Sequence, residues 1–247
     1  MRNVKVGLCG FTISMAEYSR WFPIVEVQQT FYQPSSEPVM RRWRQSVAGD
    51  CEFAIKAWQL VTHPAKSPTY RRLKRPLTER ERADAGAFRD TAIVEEGWRV
   101  TEACATLLNA SSILFQCPAS FKPTEENAAN MKAFFRRIRR PPGGPRLLWE
   151  PRGPWPADLV ASLCDACDLV HVVDPFVTRT VTSGFTYYRL HGITGTRHVY
   201  SDDELRQLRD MLPPAGDVRV LFNNIPRADD ARRFGRLLGE GLVEGGT

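Results

Sequence analysis

The stretch TYYRLHG, residues 186–192, is aromatic and apolar apart from Arg189 and His191. Residues two apart on a β-strand leave the same face, so these two side chains share one side of a sheet. A buried guanidinium without partners is costly, so the pair needs counter-charges or a purpose. A strand that runs through a core and ends on charge points to a functional mouth.

Similar runs recur along the chain: VKVGLCG (4–10), IVEVQQ (24–29), EFAIKA (52–57), SILFQ (112–116), RLLWEP (146–151), LVHVVD (169–174), FTYYRLHG (185–192) and VRVLFNN (218–224). Amphipathic stretches such as SEPVMRRWRQSV, TEENAANMKAFFRRI and SDDELRQLRDML lie between them. Eight strands alternating with helices predict an α/β fold, a single (β/α)8 TIM-like barrel forming one domain over residues 1–247. The first unit, with few residues between strands, and the sixth, PFVTRTVTSG, are expected to be irregular. An open doubly wound sheet is the competing architecture, but no Gly-rich phosphate loop follows the first strand.

Alternation along each strand sends polar side chains to one rim. Glu26 and Gln28 share a face in strand two, Lys56 closes strand three, Gln116 strand four, Glu150 strand five and Asp174 strand six. Arg189 and His191 close strand seven, and Asn223 or Asn224 strand eight. Barrel interiors are packed with aliphatics and their chemistry sits at the carboxyl ends of the strands. Seven successive polar ends therefore predict a site. With Arg152 just after strand five, Glu26, Glu150 and Asp174 balance Lys56, Arg152 and Arg189, a self-neutralised ring that needs no metal. Glu26, Glu150, Asp174 and His191 form a divalent-metal alternative if Lys56 and Arg189 face a substrate. Gln116 and Arg189 stand where a glycosidase barrel commonly places its two carboxyls, which argues against glycoside hydrolysis.

The composition, 43% hydrophobic and 25% charged, is that of a globular protein. No apolar run is long enough for a membrane span. MRNVKVGLCGF enters a strand pattern at once, leaving no room for a leader, and a cytoplasmic location is expected. Cys9, Cys51, Cys104, Cys117, Cys164 and Cys167 fit that compartment as reduced thiols. CDAC (164–167) has redox or ligand spacing, but no second pair completes a zinc site, and the surrounding pattern is an amphipathic helix. The net charge of +6 is uneven: His63 to Arg82 carries seven Lys or Arg against Glu79 and Glu81, and RRIRR (136–140) adds four Arg at the end of a helix that opens on Glu125 and Glu126. The second cluster matches the helix dipole. The first is a loop over the barrel mouth by topology, placed to steer anions, close as a lid or contact nucleic acid.

The motifs VGLCGF, VEVQQTFYQPSSEPVMRRW, FAIKA, LFQCPASF, WEPRGPW, YYRLHG, YSDDEL and LFNN together resemble the family known as domain of unknown function 72, or YecE-like proteins. The resemblance implies a TIM-like barrel and supplies no activity, since the family is functionally uncharacterised. Its similarity to divalent-metal sugar isomerase and DNA-repair endonuclease barrels is one of fold. Family-like positions are Glu26, Thr30, Phe31, Tyr32, Lys56, Thr62, His63, Gln116, Pro118, Glu150, Arg152, Trp155, Tyr188, Arg189, His191, Gly192, Tyr200, Asn223 and Asn224. The family usually has Asn-Ser where this chain has Gln28 and Gln29. It has an aromatic residue and often His at the places of Pro151 and Gly153, and Gly-Trp where Phe11 follows Gly10. These departures cluster on mouth loops, so they bear on substrate choice more than on scaffold.

The leading expectation is an enzyme acting on a small anionic substrate, phosphorylated or carboxylated, by acid/base chemistry. Glu26, Lys56, Glu150, Asp174, Arg189 and His191 are the catalytic candidates. Gln28, Tyr32, Gln116, Arg152, Trp155, Tyr200, Asn223 and Asn224 are the substrate-binding ones. Hydrolysis, elimination and isomerisation stay open. The alternatives are a nucleic-acid-processing barrel using loop 63–82 with Tyr70, Phe31, Tyr32 or Trp58 stacking on bases, and a non-catalytic barrel whose ring stiffens the mouth. Cys117 is read as core, and His171 as a structural histidine facing the helices.

Overall fold

Each expected run contributes a strand to one parallel sheet: β1 (Arg2–Cys9), β2 (Ile24–Val27), β3 (Glu52–Lys56), β4 (Ser112–Gln116), β5 (Arg146–Glu150), β6 (Val170–His171), β7 (Phe185–Leu190) and β8 (Gly216–Phe222). The helices are α1 (Met15–Trp21), α2 (Gln29–Tyr32), α3 (Glu37–Gln45), α4 (Gln59–Thr62), α5 (Glu79–Asp84), α6 (Ala92–Leu108), α7 (Glu125–Arg137), α8 (Ala157–Cys167), α9 (Asp202–Asp210) and α10 (Arg227–Leu237). The computed structural model describes residues 2–140 and 143–239; residues 1, 141–142 and 240–247, which the single-domain reading takes in, lie outside the described residues. The pairing order β6-β5-β4-β3-β2-β1-β8-β7 curls until Val173 meets Tyr188, where the Arg189 N–H donates to the Val173 carbonyl at 2.9 Å. The result is a (β/α)8 barrel.

Local chemistry explains most helix ends. Thr124 and Ser201 cap α7 and α9, the latter in a reciprocal capping box with Glu204. At the end of α7, Arg137 pairs with Asp90, and beyond it Arg140 donates to the Cys167 and Asp168 carbonyls that end α8. The RRIRR cluster thus caps helices and ties them together. Cys164 and Cys167 are buried on the inner face of α8 as free thiols, and burial pushes both upward in pKa. No described helix is long and apolar enough to cross a membrane.

The first unit is short but regular, a seven-residue helix capped by Ser14. The sixth departs further from expectation. Strand six is only two residues long rather than 169–174, and no helix joins it to β7. The loop supplies the missing hydrogen bonds instead: Thr180 Oγ1 donates to the His171 carbonyl at 3.0 Å, and the His171 N–H donates to Thr182 Oγ1 at 3.1 Å.

Alternation divides the side chains into two cores. Val25, Val27, Phe53, Ile55, Phe115 and Trp149 face the helices, while Ile24, Ala54, Leu114, Leu148, Val172, Tyr187 and Leu221 fill the barrel. Gly7 shows how closely β1 and β2 approach, for a Cβ there would stand 2.0 Å from the Ile24 carbonyl oxygen. Below the apolar layer, alternation turns Lys5, Glu52 and Arg219 inward. Arg219 holds Glu52 bidentately at 2.8 and 2.9 Å, and Lys5 adds a contact at 3.0 Å. Burial alone would raise the Glu52 carboxyl; hydrogen bonds from Arg219 and Lys5 overcome it and hold the group below its usual value. Charge therefore closes the barrel at the amino-terminal end, and the carboxyl end carries a second charged layer.

Candidate active site

Arg189, 1% exposed, reaches the barrel axis from the end of β7. Its Nε and Nη2 donate to Glu26 Oε2 and Oε1 at 3.0 and 2.8 Å, and its Nη1 donates to Glu150 Oε2 at 2.5 Å. Tyr187 Oη adds a bond to Glu26 Oε2 at 2.9 Å, and the Gln28 side-chain amide donates to Glu26 Oε1. Tyr187 was not among the sequence candidates, although its signal was available: Tyr187, Arg189 and His191 are spaced i, i+2, i+4 and share the inner face. Tyr188, the family-like position, turns outward and donates to the Met211 carbonyl.

Glu150 is shared further. Arg152 Nε donates to its Oε1 at 2.5 Å, Gln116 Nε2 approaches at 3.4 Å, and His191 Nε2 lies 3.3 Å away. Burial by itself would raise the Glu150 carboxyl. The Arg189 charge, the His191 hydrogen bond and Arg152 together hold it well below the usual carboxylate range. The His191 ring is pinned between Arg152 Nη2 at 2.8 Å and Asn223 Nδ2 at 3.1 Å. A turn at Gly192 (φ +87°) carries the chain away from β7; a Cβ there would meet the Gly195 carbonyl oxygen at 2.2 Å.

Three candidates are engaged with the framework: Tyr200 and Asn224 are buried in it, and Asp174 fastens it while lining one wall of the mouth. Asp174 spends its carboxylate on the backbone N–H groups of His191 (2.8 Å) and Phe176 (3.1 Å), because the truncated sixth strand leaves a loop to be fastened there. Tyr200 is fully buried, accepting the Gly192 N–H at 3.0 Å with its ring edge-on to Phe222. Asn224 is equally buried and donates to the His198 carbonyl and Asp230. Of the two Asn residues ending β8, Asn223 belongs to the ring and Asn224 to the framework.

Lys56 stands apart. Its side chain points inward from the end of β3, it is 5% exposed, and its Nζ sits 3.7 Å above the Phe31 ring. Among the described residues the ammonium has no ion-pair or hydrogen-bond partner, since Arg189 engages both carboxylates. Burial first and the Arg189 charge second push Lys56 down to about 7, against the opposing pull of Glu150 and Glu26.

Two cavities open at this end, with Arg152 in the wall of both. One, of about 370 Å³, is lined by Phe31, Tyr32, Lys56, His63, Gln116, Cys117, Pro118 and Arg152. The other, of about 430 Å³, is lined by Glu150, Arg152, Trp155, His171, Asp174 and His191. His63, a family-like position at the start of the basic segment, is buried here. Burial and the Lys56 charge push it down to about 3, so it is neutral near pH 7. His171 does face away from the barrel axis as expected, but it lines the second cavity, and burial lowers it to about 4. Cys117 accepts the Trp149 indole N–H at 3.3 Å, and burial keeps it protonated. A larger cavity of about 630 Å³ lies between α6 and the start of β4 and β5, and none of the site candidates lines it.

The basic segment 63–82 folds down onto the rim instead of standing free. Tyr70 Oη donates to the His63 carbonyl at 2.8 Å, the Arg72 guanidinium covers the Tyr32 ring at 4.3 Å, and Arg75 pairs with Glu81 and Glu96. The divalent-metal alternative does not fit these side chains. Glu26 is saturated by Arg189, Tyr187 and Gln28, Asp174 is taken by backbone, and no three His, Cys, Asp or Glu are grouped as metal ligands among the described residues.

Among solved structures, a DUF72 family protein of Enterococcus faecalis V583 superposes with a TM-score of 0.71 at 17% identity, covering 96% of this chain and 95% of its own. One of Thermotoga maritima MSB8 does so with the same score at 18% identity, covering 96% and 100%. Endonuclease IV of Thermus thermophilus shares the fold with a TM-score of 0.51 at 12% identity, covering 98% and 100%. No curated protein matches the sequence. The family model for the protein of unknown function DUF72 spans residues 12–244, beginning just after β1, so the VGLCGF resemblance lies outside it while the other motifs lie within. With the barrel and its charged rim in place, that match makes this chain a member of the DUF72, or YecE-like, family.

Proposed function

We propose that this protein is an enzyme that takes a small anionic substrate, carboxylated or phosphorylated, into the mouth cavity beside Lys56 and Arg152 and works on it by acid/base chemistry. One observation carries the reading: Lys56, a buried lysine with no counter-ion among the described residues, lines the same cavity as the half-exposed Arg152. A ligand anion supplies the missing negative charge, and Arg152 can grip a carboxylate or phosphate bidentately.

Arg152 donates to Glu150 and lies against the His191 ring in the free protein. An anion that draws the guanidinium toward itself releases His191 beside Glu150. The imidazole can then pass a proton to or from the substrate, while Asn223 holds its other nitrogen. Arg189 stays charged and keeps Glu26 and Glu150 in place, acting as a brace rather than as a proton donor. Tyr32 and Trp155 wall the two cavities.

A thermal-shift panel of sugar phosphates, short keto and hydroxy acids and neutral sugars tests the reading. At 100 times its Kd, a bound ligand adds about 2.7 kcal/mol, or roughly 5–10 °C for a chain of this size. Anions should shift the wild type and not the Arg152→Ala protein; a panel in which no small anion shifts the melt overturns it.

A nucleic-acid reading is supported by Arg72 stacked on Tyr32 at the rim of a strongly basic segment, and by a fold shared with an endonuclease. It expects oligonucleotide binding that falls steeply with salt and survives Arg152→Ala.

A further inference from the structure

Resting on the reading that this mouth binds a small anion, we infer that Lys56 is an amine nucleophile that forms an imine with a small aldehyde or keto compound whose anionic group lies on Arg152.

The carboxylates of the ring are already engaged elsewhere. Glu26 accepts from Arg189, Tyr187 and Gln28, and Glu150 from Arg189, Arg152 and Gln116. Neither pairs with Lys56, although both belong to the same ring. What faces the ammonium instead is the Phe31 ring, a guanidinium close enough to repel it, and a cavity. A site built only to hold anions is served by arginine, which cannot lose its proton, or by a lysine on the wet rim, which keeps its hydration. Burying a lysine beside a cation disfavours the charged form, and the aromatic face offsets only part of the lost hydration. The arrangement thus supplies a free amine near neutral pH, the state in which a lysine attacks carbonyls. The groups that set this balance are Arg189, Arg152, Glu150 and Glu26, with His63 neutral beside them. The amine is also held in place: Lys56 ends a strand, and its carbonyl accepts from Thr30 Oγ1 at 2.7 Å. Cys117, the other nucleophile in this wall, is a protonated thiol engaged by Trp149.

The step is balanced without a further reactant. The nitrogen lone pair forms the C–N bond as the carbonyl π pair moves to oxygen, which takes one proton from the nitrogen. The resulting carbinolamine loses its hydroxyl together with the second nitrogen proton as water, so amine and carbonyl give imine and water. An imine so placed withdraws electrons from the adjacent carbon, which suits cleavage or proton transfer there with His191 as the proton carrier.

Reductive trapping tests this. Purified protein is incubated at pH 7 with pyruvate, glyoxylate or glycolaldehyde phosphate and sodium cyanoborohydride, whose hydride turns any imine into a stable secondary amine. The labelled lysines are then mapped by peptide mass. Lys56 should be labelled at least about 100-fold faster than the exposed Lys66 and Lys74. Lys56→Arg should lose this adduct alone; the wild-type map stands without it if the variant fails to fold. Lactate and glycerol phosphate, which lack the carbonyl, are run in parallel in thermal melts. If they and the carbonyl anions stabilise the protein equally but Lys56 is labelled no faster than surface lysines, the nucleophile is refuted and the anion site stands. If nothing stabilises and nothing labels, both fall.

Discussion

Arg189 holds Glu26 with two nitrogens, at 3.0 and 2.8 Å, and Glu150 with the third, so one guanidinium from β7 joins β2 and β5 across the barrel mouth. The carboxylates this arginine engages are the ones Lys56 lacks, and the reactivity assigned to the lysine follows from that division.

Replacing Arg189 with Leu leaves two buried carboxylates facing each other, at a cost of about 3–5 kcal/mol, or roughly 6–20 °C in melting temperature. The slope with pH should also reverse. In the wild type the Glu150 carboxyl is depressed, so its contribution is present above the unfolded carboxyl pKa and fades as pH falls through the folded one. In the variant, protonation relieves the repulsion, and calorimetric stability should rise between pH 7 and 5. An unchanged melt, together with no stabilising ligand of any class, would make the ring a stiffening device and the barrel non-catalytic.

Lys56→Met should raise stability at pH 6 by on the order of 1–3 kcal/mol, because a buried charge with no partner is replaced by an apolar chain of similar length. The native lysine titrates near 7, well below its unfolded value, so between those pH values the unfolded chain binds more protons and wild-type stability climbs with pH. Urea titrations at pH 6 and 9 should show that climb flattened in the variant, while small-anion binding is lost.

Arg152→Ala should cost little stability, within about 1 kcal/mol, since its side chain is 38% exposed and its pairing is screened. Calorimetric binding of whichever anion stabilises the wild type should weaken at least about 10-fold. Tight binding by the variant would move the anion site elsewhere.

Arg219→Met probes the opposite end of the barrel. Glu52 keeps Lys5 at 3.0 Å, so the loss should be about 1–3 kcal/mol, and a double-mutant cycle with Glu52→Gln should return a coupling of about 0.5–3 kcal/mol. The stability that the depressed Glu52 carboxyl contributes is present above the unfolded carboxyl pKa and fades on acidification, so the mutational effect should shrink as pH falls through that range. Ligand-induced shifts at the mouth should be unaltered.

Much of this protein is written in its sequence. Period-two alternation in eight short runs names the strands, and the same alternation puts Glu26, Lys56, Gln116, Glu150, Arg189, His191 and Asn223 on one rim, because a strand's faces are fixed by its own backbone. It also marks Tyr187 and, at the other end, Lys5, Glu52 and Arg219. What alternation cannot supply is the partner of each charge. That Arg189 claims both glutamates, that Asp174 and Asn224 fasten loops, and that Lys56 is left alone depends on how far each strand protrudes and which neighbours it meets across the barrel. The sixth strand ends after two residues because Thr180 and Thr182 take over its hydrogen bonds from a loop whose course no local pattern dictates. Local periodicity decides which face a residue takes, whereas distance and desolvation across the closed barrel, which only the tertiary structure sets, decide what it can do there.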